Sequence, residues 1–149
     1  MSVTINTKGI IFLYDSKPIS AVRMNPAVKR PLESACKELT EWGYIGIDTL
    51  GITNNRQMRS GRGTSRHAEG LASNDYKIWS DGSHGSLAFD LVDISHKSGL
   101  KSKRISDPDD RFWLIAFFRK HGFEVYHTGE KGDRKVKPDH LHIEWRVRL

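Results

Sequence analysis

The chain has 149 residues, a length that suits one domain built around a single core. Apolar residues make up 37% and charged residues 28%, and no apolar run reaches the roughly 18 residues of a membrane span. The single cysteine, Cys36, excludes an intramolecular disulfide and a cysteine-cluster zinc site, so any metal must be held by histidine and carboxylate. A net charge of +6 allows two readings, attraction to polyanions such as nucleic acid or an acidic cell-wall polymer, or a merely solvated basic surface. The basic residues are nevertheless scattered through Arg56–Arg66, Lys97–Arg104 and Lys131–Lys137, without the aromatic–basic repeat of a single-strand binder.

In chain order, Met1–Lys8 has no apolar stretch followed by a cleavage site, so no Sec-type signal peptide is expected. Gly9–Tyr14 reads as a short buried strand or an apolar arm. Asn25-Pro26 opens a helix, Asn as its cap and Pro as its first residue. Val28, Leu32, Ala35, Cys36, Leu39 and Trp42 follow at helical spacing as a core stripe, and Gly43 ends it. Thr53–Ser65, rich in Gly, Asn, Arg and Ser, reads as an irregular loop. Leu87–Ile94 reads as a buried strand with Asp90 in its middle. A second helix runs over about Asp109–His121, after Asp-Pro-Asp-Asp and before Gly122. In His140–Val147, Leu141, Ile143, Trp145 and Val147 alternate with His140, His142, Glu144 and Arg146, which predicts a strand with an apolar core face and a polar opposite face. Helices and strands mix without a βαβ rhythm. The expected class is α+β, a single domain over 1–149 with a small antiparallel sheet and two main helices.

Two segments carry candidate chemistry. Asp139-His140-Leu141-His142 opens the last strand with two imidazoles on one face and a carboxylate three residues from His142. Asp90 sits among Leu87, Phe89, Leu91 and Val92, where a carboxylate is costly unless a metal or an arginine satisfies it. His96, His121 and His127 belong to no motif and read as surface residues. Cys36 reads as a small core residue. Trp79 is a candidate for substrate contact.

A third segment, Ser65-Arg-His-Ala-Glu-Gly-Leu-Ala72, resembles the first motif, Ser-x-His-x-x-Gly-x-Ala-x-Asp, of a family of zinc metallopeptidases. That family includes D-alanyl-D-alanine carboxypeptidases, phage L-alanyl-D-glutamate endopeptidases and extensin-like C-terminal domains. Ser65, His67, Gly70 and Ala72 fall on the motif, Asp139-x-x-His142 on the family's second one, and Arg56, with Arg59 as the alternative, on an upstream arginine. The resemblance spans about Met24 to Trp145. The chain departs from it at Asn74, where the family has a liganding Asp. Three substitutes are open: Asp75 through a one-residue shift, Asp90 with Ser73–Ala88 as an insertion, or a site moved to His84 and Asp90. Asp90 is preferred, because removing Ser73–Ala88 leaves the motif whole.

The resemblance implies zinc (Zn2+) held by His67, Asp90 and His142. It implies Asp139 as the acid–base residue, Arg56 as stabiliser of the oxyanion, and Ser65 and Glu69 as residues that shape the loop. His140 shares the face of His142 without an assigned role. The implied substrate is the stem peptide of bacterial peptidoglycan, cut by a monomeric enzyme with no nucleic-acid or membrane partner. With no signal peptide, a phage-type endolysin in the host cytoplasm before holin-type release, or a cytoplasmic enzyme, is expected. The alternatives are a basic nucleic-acid-binding protein or His-metal nuclease, and a catalytically inactive wall-binding relative. No helix-turn-helix or RNP pattern favours the nucleic-acid reading.

Overall fold

A computed structural model describes residues 3–52, 86–127 and 140–145. Its elements are β1 (Val3–Thr4), β2 (Ile11–Tyr14), β3 (Lys17–Pro18), β4 (Arg23–Met24), α1 (Pro26–Glu41), β5 (Tyr44–Ile52), β6 (Ala88–His96), β7 (Lys103–Arg104), α2 (Pro108–Lys120), β8 (Glu124–His127) and β9 (Leu141–Glu144). The class is α+β, with two helices as expected.

Both helices start and stop where local chemistry directs. The Asn25 side-chain oxygen accepts the Ala27 N–H at 2.9 Å, and Pro26 takes the first position, where a missing donor costs nothing. Val28, Leu32, Ala35, Cys36 and Leu39 are all fully buried along one stripe of α1. Trp42 leaves that stripe: it caps the helix and stays 44% exposed, contrary to its expected core position. Gly43, at φ +90°, then turns the chain into β5. Asp107 caps α2 by accepting the Asp110 N–H at 3.0 Å. Asp109 and Asp110 in the first turn and Arg119 and Lys120 in the last complement the helix dipole.

The strands form a seven-stranded mixed sheet in the order β3-β2-β5-β6-β9-β8, with β7 added on β6, and a separate β1–β4 pair. It is larger than the sequence suggested, because the two-residue strands β3 and β7 leave no periodicity to read and the bulged β5 breaks it. Every pairing in the large sheet is antiparallel except β2–β5, and α1 lies in the connection between those two. One core cluster joins both helices to one face of the sheet through Phe89, Leu91, Leu141, Ile143 and Val125. Phe89 meets Phe118 of α2 edge-on at 5.9 Å between centroids. The expected alternation of the last strand holds over β9, with Leu141 and Ile143 on the core side, and Trp145 packs partly buried against the core. Among the described residues no helix is long and apolar enough to cross a membrane.

Candidate metal centre

The face of β6, β9 and β8 turned away from that core carries the candidate site. Register sets its rows. Asp90 pairs with His142 and His142 with Tyr126; Ala88 pairs with Glu144 and Glu144 with Glu124. Residues two apart on a strand share a face, so Asp90, His140, His142, Glu144, Glu124 and Tyr126 gather on one side. On one side each carboxylate has a small strand neighbour, Gly51 of β5 opposite Asp90 and Ala88 opposite Glu144.

Asp90 is 7% exposed and Glu144 6%. His142 lies between them: its Nδ1 is 3.3 Å from Asp90 Oδ1 and its Nε2 is 2.8 Å from Glu144 Oε1. His140 Nε2 is 3.7 Å from the other Asp90 oxygen. Tyr126 stands beside His142, ring centroids 6.0 Å apart, and donates its O–H to Glu124. Glu124 stands opposite Glu144 in register, so two carboxylates are neighbours across β8 and β9.

Burial alone lowers the His142 pKa. The hydrogen bonds to Asp90 and Glu144 and their negative charges outweigh it and push the value up to about 9. The chemical meaning is simple. A neutral ring that gives its Nε2–H to Glu144 turns the Nδ1 lone pair towards a carboxylate oxygen. Two acceptors 3.3 Å apart need a cation between them. A proton satisfies that need in the metal-free protein, and a metal ion satisfies it equally.

The separation also fits zinc. With ligand arms of about 2.0 Å, the corners of a tetrahedral site lie about 3.3 Å apart. Asp90 and His142 therefore suit two corners of such a site. Among the described residues, no group of three or more His, Cys, Asp or Glu is set to hold a metal ion, so a complete site needs a further donor from elsewhere in the chain.

Of the residues singled out from sequence, the structure brings together Asp90, His142 and His140. His67, Arg56, Arg59, Asp139, Asp75, His84, Ser65, Glu69 and Trp79 lie outside the described residues, as does the Thr53–Ser65 segment. Ser86–Ala88, the end of the segment treated as an insertion, is fully buried, and Ala88 already belongs to β6.

Two histidines read as surface residues are not. His96 is 7% exposed; its Nδ1 accepts the Ser98 N–H at 3.0 Å and its Nε2 lies 2.7 Å from the Trp42 carbonyl. The His121 side chain is 11% exposed and binds Glu38 at 2.6 Å. Cys36, in contrast, is buried as expected, and burial pushes its thiol up to about 12, so it is inert. Glu124 and Tyr126 belong to no sequence motif, yet they share the face of the site. The alternation of Glu124-Val-Tyr-His127 was the available signal for their strand.

Comparisons with protein-family models, with curated proteins and with solved structures returned no match.

Proposed function

We propose that the chain is a zinc metallopeptidase that hydrolyses peptide bonds in bacterial peptidoglycan stem peptides, in the manner of a phage endolysin. The observation that carries the metal reading is the Asp90–His142 pair, a carboxylate and an imidazole nitrogen 3.3 Å apart on adjacent strands. The substrate class rests on the sequence motifs around His67 and Asp139 and on the arginine at position 56. In this reading His67, Asp90 and His142 hold the ion and leave a fourth position open. When bound, zinc supplies electrophilic polarisation of the scissile carbonyl and acidifies water.

The chain's own groups do the rest. Asp139 takes a proton from the water that attacks the carbonyl carbon. Arg56 stabilises the oxyanion that develops on the carbonyl oxygen. The C–N bond then breaks, and Asp139 passes its proton to the leaving amine, giving a carboxylic acid and an amine, which ionise to carboxylate and ammonium.

Metal analysis beside a cell-wall zymogram and a plasmid-cleavage assay tests the reading. The wild type should carry about one zinc per chain. Lysis should stop with chelator and return with zinc. His67→Ala, Asp90→Ala and His142→Ala should lose the metal, while Asp75→Ala and His84→Ala should keep it. Zinc retained in Asp90→Ala defeats that ligand, and plasmid cleavage without lysis defeats the peptidase.

A further inference from the structure

Glu144 has no place in the motifs, yet it sits on the site. It lies two residues after His142 on β9, on the same face, and it is almost fully buried. Its Oε1 is 2.8 Å from His142 Nε2, while the opposite ring nitrogen faces Asp90. Ala88 opposite Glu144 brings no side chain of any length into its row, and Tyr126 engages the neighbouring Glu124.

From this geometry we infer that Glu144 is a positioning residue that accepts the Nε2–H of His142 and so fixes the tautomer that presents Nδ1 to a metal beside Asp90. The inference rests on the zinc reading above and adds to it the orientation of a ligand. An imidazole offers one lone pair when neutral, and the hydrogen bond on its other nitrogen decides which atom carries it. Without an acceptor at Nε2, the ring is free to take the Nδ1–H tautomer. That form directs a hydrogen, not a lone pair, at the position between β6 and β9. A carboxylate on the distal nitrogen also makes the ring a stronger donor to the metal. Glu144 acts through His142 and needs no contact with substrate.

The test uses the full chain. Zinc affinity is measured by competition with a chromophoric chelator for wild type, Glu144→Gln and Glu144→Leu. Two-bond proton–nitrogen spectra of the His142 imidazole are recorded on the zinc-loaded wild type. Glu144→Leu should weaken zinc about 10–100-fold. Glu144→Gln, which keeps an acceptor oxygen, should recover most of that loss. The spectra should show protonated Nε2 and bare Nδ1. They need no variant, so the inference stays testable if Glu144→Leu fails to fold. Protonated Nδ1 in the loaded protein overturns the inference, as does wild-type affinity in a folded Glu144→Leu. A wild type that binds no zinc overturns the metal reading itself. Tight zinc binding that is indifferent to Glu144 overturns only the positioning role.

Discussion

Gly43 and His96 show how single residues hold this chain together. Gly43 sits at φ +90°, and a Cβ placed on it would lie 2.7 Å from His96 Nε2. His96 in turn stacks edge-on to Tyr44 at 4.9 Å between ring centroids and reaches the Trp42 carbonyl at the end of α1. Because Nδ1 accepts the Ser98 N–H, the proton of a neutral ring lies on Nε2 and is donated to Trp42. Gly43→Ala is therefore expected to cost about 1–3 kcal/mol, from left-handed strain and the clash together. Urea denaturation measures it, and an unchanged midpoint refutes the account. The glycine was legible in the sequence as a helix stop. The histidine was not, because its partner lies fifty-four residues earlier in the chain.

Among the elements, the helices were the most legible and the middle of the sheet the least. Asn25-Pro26 and Asp107-Pro108 are local instructions: a side-chain oxygen satisfies an N–H two or three residues on, whatever the rest of the chain does. Asn25→Ala should then cost about 1 kcal/mol or somewhat more, since the side chain that caps the helix is also fully buried. Thermal unfolding followed by circular dichroism reads this, and an unshifted transition would count against the cap. By contrast, β5 passes through the centre of the sheet and gave no sign of itself in the sequence reading. Its ladder with β6 shifts register at three places, and Gly46 and Gly51 interrupt its apolar residues. Bulges break the period of two on which strand reading depends. On β8 the alternation was present but only four residues long.

Across the molecule, α1 and α2 are tied by Glu38, which binds both Lys120 and His121. Burial raises the Glu38 pKa, but the hydrogen bonds from Lys120 and His121 outweigh it and hold the carboxyl below its ordinary value. Glu33 is held low by Lys29 and by the Asn6 N–H. A carboxyl depressed by folding contributes stability above its unfolded pKa of about 4.3 and loses it as pH falls through the folded value. Glu38 and Glu33 should therefore leave the Tm unchanged between neutral pH and about 5 and lower it below that, whereas His142, with its pKa raised to about 9, should lower the Tm as pH rises from about 6.5 towards 9. Glu38→Gln should start lower at pH 7 and decline less steeply. Parallel Tm curves for the two proteins would show that Glu38 contributes nothing.

The sequence by itself determined the α+β class, both helices and the Asn25 cap of the first, the inward side of β9, and the candidacy of Asp90 and His142 as ligands. These follow from interactions among residues close in the chain and from the period of the apolar pattern. Only the tertiary structure decided that Asp90 and His142 meet, that Glu144 closes on the far side of the ring, and that His96 is buried and His121 partly so. The meeting of Asp90 with His142 and the burial of the two histidines depend on contacts across strands or helices far apart in sequence. For the site, that contact is the β6–β9 register. A slip of one residue would turn His142 into the core and leave Asp90 facing an apolar side chain.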